Sequence, residues 1–325
     1  MMDLKDIAFP NLGIYLKNVP RSFSVFGVEI MFYAICVVLG MMAGGLIAAR
    51  LARKEGWKTD YIWDYYIYGI FFGVLGARLY YVIFSWDYYK DDPIQILNIR
   101  QGGLAIYGGV IAAFLSVYIY CRIRKISPLR LLDYGLPGLI LGQAVGRWGN
   151  FFNREVFGEY TDNIFAMRLP IEAVRARDIS ESIASHIGAG ENFISVHPTF
   201  LYESLWNLGV LLLIVLFMKK RRFFGEISFW YLAGYGLGRF WIEGIRTDTL
   251  LIPGTNLAVS RVLALVMFVG SIFGDVILRI MISKGKFLSI VYDPSTCVPE
   301  NCVPEKEDSG KTTEDDPGLA DKDTK

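Results

Sequence analysis

The sequence predicts an all-α membrane protein with about seven transmembrane helices, its N-terminus outside and its C-terminus in the cytoplasm. Three observations lead there. Hydrophobic residues make up 53 % of the 325 residues, and a mean hydropathy of +0.37 exceeds what a soluble domain of this length shows. Apolar stretches of roughly 20 residues, the length that crosses a bilayer, recur along most of the chain. Basic clusters fall in every second connection between them, which orients the stretches by the positive-inside rule.

The expected spans are 25–49, 65–84, 105–120, 132–151, 198–218, 227–242 and 259–282. Upstream of the first there is no apolar core of a cleavable signal peptide, so this span is expected to act as the targeting signal. The second holds Gly73, Gly76 and Arg78, an arginine whose burial calls for a carboxylate such as Asp64 or a substrate contact. A glycine-rich loop, Gln101-Gly102-Gly103-Leu104-Ala105-Ile106-Tyr107-Gly108-Gly109, opens the third. The fourth carries Gly138, Gly142 and Gly146 four residues apart, a small-residue seam for close helix approach. His197-Pro198 opens the fifth. In the sixth, Gly234, Gly236 and Gly238 precede Arg239 and are expected to loosen the helix. The seventh closes a membrane domain of residues 1–292.

The net charge of +1 conceals an uneven distribution. Arg50, Arg53, Lys54 and Lys58 follow the first span, and Arg122, Arg124, Lys125 and Arg130 join the third and fourth. Lys219, Lys220, Arg221 and Arg222 follow the fifth, and Lys284 and Lys286 the seventh. The intervening connections are acidic or mixed, as at Asp87, Asp91, Asp92 and Asp162. Residues 293–325 carry about six excess negative charges and read as a disordered acidic cytoplasmic tail. Its Cys297 and Cys302 match no common zinc spacing, and a cytoplasmic location disfavours a disulfide. Nucleic-acid binding gains no support, because the basic clusters already have a topological task.

Polar residues inside the membrane gather on one side. Gly146 to Gly158 closes an apolar run with Arg147, Asn150, Asn153 and Glu155. An arginine so deep costs about 2.5–3.5 kcal/mol on insertion scales, so a partner is expected. A lone arginine could snorkel to the interface, but two asparagines, a glutamate and three glycines crowd the same segment. Arg147, Asn150 and Asn153 step by three along one helical face. On the same outer side lie Arg239, Glu243 and Arg246, spaced so that Glu243 can pair either arginine. Tyr107, His197, Tyr202, Glu203 and Tyr33 complete the constellation. Guanidinium forks beside amide donors suit an anionic phosphate ligand, and arginine stays charged in an apolar setting. They would also stabilise charge developing on a leaving phosphate.

The residues 146–158 carry a resemblance. Gly-Arg-x-Gly-Asn-Phe-x-Asn-x-Glu-x-x-Gly is similar at every fixed position to the signature of the bacterial prolipoprotein diacylglyceryl transferases. Gly76-Ala77-Arg78-Leu79-Tyr80-Tyr81-Val82, Gly102-Gly103-Leu104, His197-Pro198 with Leu201-Tyr202-Glu203, and Gly238-Arg239-Phe240 with Glu243 and Arg246 extend it in order. The resemblance implies transfer of the diacylglyceryl group of phosphatidylglycerol to the lipobox cysteine thiol of preprolipoproteins. Glycerol phosphate is released, and neither metal nor soluble cofactor takes part. It implies a bilayer-embedded enzyme of the bacterial cytoplasmic (inner) membrane, with its site toward the extracytoplasmic face and residues 156–196 as a small extracytoplasmic head insert.

By position, the resemblance gives Arg147 the lipid phosphate, with Asn150, Asn153, Glu155, Gly158 and Tyr33 around the same ligand. Arg239 would stabilise charge during transfer, oriented by Glu243 and supported by Arg246. His197, Glu203 and Arg78 are possible supporting residues. Many members have histidine where this chain has Tyr107, and that histidine has been proposed as the base for the thiol. Tyrosine, with a pKa of about 10, is a poor base at neutral pH, which favours a hydrogen-bonding or positioning role for Tyr107 and leaves the base open between it and His197. Two other classes use similar residues: an anion transporter, for which no internal repeat is visible, and a lipid-binding scaffold, which would not require Glu155 and Glu243.

Overall fold

The computed structural model describes residues 2–99, 102–249, 251, 252, 254, 255 and 257–292. The expected acidic tail, with Cys297 and Cys302, lies outside the described residues, as does Gln101. Seven long helices dominate among the described residues: α1 (Phe32–Lys54), α2 (Asp60–Phe84), α3 (Ile106–Arg124), α4 (Pro128–Asn153), α6 (Thr199–Phe217), α7 (Glu226–Glu243) and α8 (Val259–Ser283), with the single-turn α5 (Glu181–Ser185) between α4 and α6. Five of the long helices, α1, α2, α3, α6 and α8, are long and apolar enough to cross a membrane. The other two carry the polar residues of greatest interest.

The first helix begins later than its hydropathy suggests. Residues 22–31 form a hairpin of β3 (Ser22–Val25) and β4 (Val28–Met31), paired in register from Ser22 opposite Met31 to Val25 opposite Val28. Its two turn residues, Phe26 and Gly27, both have positive φ, 50° and 79°. That is the turn whose twist matches a two-residue hairpin. A hydropathy window cannot distinguish an apolar hairpin from the start of a helix.

The all-helical expectation needs a second correction. A four-stranded antiparallel sheet, ordered β2-β1-β5-β6, joins β1 (Ile7–Phe9) and β2 (Ile14–Leu16) to β5 (Met167–Pro170) and β6 (Phe193–Val196). The head is therefore built from the N-terminal residues as well as the 156–196 insert. Ile7, Phe157, Leu169, Ile183, Ile194 and Val196 form its core, and Phe151 and Phe200 reach into it from the ends of α4 and α6. Arg154, at the left-handed end of α4, fastens the N-terminal segment by donating to the carbonyls of Lys5 and Val19 at 2.8 and 2.7 Å. Burial and the charge of Arg21 lower its pKa to about 10, which still leaves it charged at neutral pH.

Helix packing relies on small residues. A Cβ on Gly44 would lie 2.5 Å from the Gly138 carbonyl oxygen, and one on Gly40 2.8 Å from that of Gly142. Two glycines of the expected α4 seam thus bring α1 and α4 into backbone contact, whereas Gly146 faces open space. The glycines ahead of Arg239 do not loosen α7, which runs unbroken through them. Gly234 and Gly238 admit Val210 and Trp206 of α6, and Gly236 admits the backbone of α8. Away from these contacts, Phe71, Phe114, Leu213, Val266 and Phe273 are exposed, an apolar surface larger than water tolerates.

At the end opposite the head, a second polar cluster is sealed off. Arg221, fully buried, pairs with Glu55 and, at 3.4 Å, with Asp133. Tyr134 donates to Glu55 at 2.8 Å, and the Gly225 amide donates to both Asp133 oxygens at 3.0 Å. The Arg221 guanidinium lies 3.9 Å from the centre of the Tyr292 ring. Glu226 pairs with Arg279 alongside. These contacts tie α1, α4, α7 and α8 together beyond the apolar core of Ala48, Leu131, Ile140, Ile214 and Ile227.

Candidate active site

The polar end of α4, the first turns of α6 and the end of α7 meet beneath the head, and Glu203 is their common point. It sits one turn into α6 and is almost fully buried. Its Oε2 lies 2.7 Å from Nε of Arg147, on α4. Its Oε1 accepts from Nη1 of Arg239 at 3.3 Å and from Nη1 of Arg246 at 3.5 Å. One carboxylate thus faces three guanidinium groups, which repel one another and are held together by it. Sequence reading ranked Glu203 as a supporting residue, because nothing local marks a single glutamate in α6 as a hub.

Glu243 is the second counter-ion. Its Oε2 lies 2.6 Å from Nη2 of Arg239 and 3.8 Å from Nη1 of Arg246, as the spacing of four and three along α7 predicts. Ser260, at the start of α8, donates to its other oxygen. Arg246 is also clasped by Asp248, with Nε and Nη2 each 2.9 Å from a carboxylate oxygen. Burial raises the pKa of Asp248, but the hydrogen bonds and charge of Arg246 outweigh it and the net shift is downward. Arg239 is thus paired through both terminal nitrogens and Arg246 through all three of its nitrogens. Arg147 is not: among the described residues, nothing pairs with its Nη1 or Nη2, and 21 % of its side chain is accessible.

Asn150 and Asn153 point elsewhere. Both donate to Oε1 of Glu155, at 3.2 and 3.1 Å, and Arg175 of the head pairs with Oε2 at 3.0 Å. Two successive steps of three on an α-helix lag by about 120° in total, so Asn153 cannot share the direction of Arg147. The signature segment thus splits into an Arg147 side, turned to Glu203, and a Glu155 side, turned to the head.

Gly158 is a packing point. Its amide donates to the His197 carbonyl at 3.0 Å, and a Cβ there would lie 2.7 Å from the Ile245 oxygen. A β-bridge between Gly158 and Arg246 fixes the chain beyond α7 against the head. Tyr33, in the first turn of α1, lies against α4, and its ring occupies the space that a Cβ on Gly149 would need. His197 stands 3.3 Å from the Tyr202 hydroxyl, and burial lowers its pKa, so the ring is neutral at pH 7.

Two residues are not brought into this cluster. Arg78 is buried, yet its partner is neither Asp64, which pairs with Arg124, nor any other carboxylate. Its guanidinium donates to the carbonyls of Gln95, Ile96, Asn98, Gly102 and Gly103, organising the loop that leads into α3. Tyr107, second residue of α3, is exposed and makes no hydrogen bond or ring contact among the described residues. Arg175, Asp248 and Ser260 join the site without having been singled out. The adjacency of Arg246 and Asp248 was a usable signal for the second, and there was none for Ser260.

Comparison with known proteins accords with this architecture. Residues 20–277 match the family model of prolipoprotein diacylglyceryl transferase. The chain is 39 % identical over 264 residues to the phosphatidylglycerol–prolipoprotein diacylglyceryl transferase of Finegoldia magna, a match covering 81 % of this chain and 95 % of that protein. The corresponding protein of Clostridioides difficile is 39 % identical over 257 residues, covering 79 % and 94 %. That of Enterococcus faecalis is 40 % identical over 253 residues, covering 77 % and 87 %. The chain belongs to the prolipoprotein diacylglyceryl transferase family.

Proposed function

We propose that this protein transfers the diacylglyceryl group of phosphatidylglycerol to the lipobox cysteine of preprolipoproteins in the bacterial cytoplasmic membrane. The observation that carries the reading is Arg147, whose guanidinium is anchored through Nε to Glu203 while both terminal nitrogens lack a protein partner. That fork fits two oxygens of a lipid phosphate. Arg239, held by Glu203 and Glu243, lies beside it to neutralise charge on the departing phosphate, and Arg246 reinforces that field. Asn150 and Asn153 hold Glu155, while Gly158 packs the head against Ile245 and Tyr33 packs α1 against Gly149 of α4.

In the reaction, the cysteine sulfur attacks the glycerol carbon that bears the phosphate ester. The C–S bond forms as the C–O bond breaks, and the electron pair goes to the phosphate oxygen of glycerol phosphate. The thiol proton leaves to solvent or to a base such as neutral His197. With an ordinary pKa of about 8.5, the thiol needs little help, and nearby guanidinium groups favour the thiolate. No cofactor is required.

In this reading all seven long helices cross the bilayer. The head lies on the extracytoplasmic side, where exported preprolipoproteins arrive, and the Arg221 cluster and residues 293–325 lie in the cytoplasm. A reporter fused after Lys220 should then read cytoplasmic, and one fused after Leu250 extracytoplasmic. The central test is a transfer assay with purified protein, acyl-labelled phosphatidylglycerol and a lipobox peptide, with a Cys→Ser peptide as control. Label on the cysteine peptide alone, with glycerol phosphate released, is the expected result. No transfer by a folded sample would overturn the assignment.

A further inference from the structure

The charges of the arginine cluster cancel. Arg147, Arg239 and Arg246 face Glu203, Glu243 and Asp248, so a phosphate on the free fork of Arg147 is held more tightly when one of these carboxylates withdraws. The three carboxylates are not equally free to do so. Glu203 and Glu243 project from the bodies of α6 and α7 with 5 % and 3 % of their side chains accessible, whereas Asp248 lies on a loop with 28 % accessible. Up to Thr247 that loop is fastened. Glu159 donates to the Ile245 carbonyl at 2.7 Å, Gly158 bridges Arg246, and Thr247 reaches the Phe157 carbonyl at 3.5 Å. Beyond it, among the described residues, the Asp248 side chain bonds to Arg246 and to no other side chain.

Asp248 also forms part of the wall of a cavity of about 330 Å³, together with Glu155, Val156, Arg175, Arg177, Asp178, Thr247 and Thr249, so its side chain has open space to move into. Arg175 and Arg177 of that wall are already paired, with Glu155 at 3.0 Å and Asp178 at 3.6 Å, and offer Asp248 no unpaired partner to hold it away from Arg246. We propose that Asp248 is the displaceable counter-ion of the arginine cluster, whose return to Arg246 expels the anionic leaving group. This rests on the transferase reading above.

Product chemistry gives the device its purpose. The lipid substrate is a phosphate diester with one negative charge. The product is a monoester whose second pKa is about 6, so at neutral pH it carries nearly twice that charge. Arginines that bind the substrate would therefore retain the product. Asp248, returning to Arg246, competes with the product for the guanidinium and lowers its affinity for the cluster.

The test is inhibition of transfer by added glycerol phosphate, measured for wild type, Asp248→Asn and Thr249→Asp. Asp248→Asn should be half-inhibited at a concentration about fivefold lower than wild type, the scale of one partly exposed charge pair. Thr249→Asp, which adds a carboxylate to the same wall, should require a higher concentration. Should Asp248→Asn fail to fold, Thr249→Asp decides alone. Unchanged inhibition in the folded variants overturns the proposal. Titration calorimetry with glycerol phosphate separates this idea from the transferase reading. Affinities ordered Asp248→Asn, wild type, Thr249→Asp without any transfer would count against the transferase and uphold the counter-ion. Transfer without that order would do the reverse.

Discussion

Two arginine–carboxylate clusters stand at opposite ends of this bundle, made of the same groups and serving opposite ends. Around Arg221 every charge is enclosed: its side chain and that of Asp133 have no accessible surface, and aromatic rings cover the guanidinium. Around Glu203 three arginines converge on one carboxylate, with Glu243 and Asp248 balancing the charge, and 21 % and 18 % of Arg147 and Arg239 stay accessible. A buried ion pair with all its partners in place holds helices in register and has nothing left to offer a ligand. A cluster with unshared, accessible guanidinium nitrogens remains a binding surface. Motif content alone does not separate the two; the degree of satisfaction does.

That contrast can be broken by substitution. Arg147→Ala should lower transfer by at least about a hundredfold, the scale of losing one charge-stabilising donor, with little change in thermal unfolding. Arg147→Lys should rescue it poorly, because a point charge cannot replace the fork. Arg221→Ala should behave in the opposite sense. Leaving Glu55 and Asp133 uncompensated should cost about 3–5 kcal/mol of stability, seen as a large drop in unfolding temperature in detergent. Its transfer rate per folded molecule at low temperature should be retained. If Arg221→Ala were stable but inactive, the division between the clusters would fail.

Smaller effects sharpen the comparison. Glu203→Gln keeps the shape but removes the charge that gathers three arginines, so kcat should fall by about ten- to a hundredfold through misplacement, with less change in KM for phosphatidylglycerol. An equal loss in both would make Glu203 a simple binding residue. Tyr107→Phe is expected to change turnover by no more than about twofold, as for an exposed side chain without partners. A large loss would return its hydroxyl to the mechanism.

Much of the fold was legible because helix formation and hydropathy are local. The long helices from α2 onward begin and end close to the expected spans, and the 146–158 segment was conspicuous as polar residues in an apolar setting. The α1 boundary was misread for the same local reason, since the β3–β4 hairpin is apolar too. Pairing was less legible. Arg78 was expected on energetic grounds to meet a carboxylate or a substrate, yet loop carbonyls engage it instead. Asn150 and Asn153 were grouped with Arg147 by spacing, and the lag of the helix turned them to Glu155.

The sequence by itself therefore determined the membrane character, the helical periodicity and the chemical inventory of the site, all of which depend on residues near one another in the chain. Only the tertiary structure decided that Glu203 would serve three arginines, that β1 and β2 would complete the head, and that Arg154 would fasten the N-terminal segment. Those outcomes depend on distances between segments as much as 150 residues apart, and an ion pair of a few ångströms has no periodicity from which it could be read.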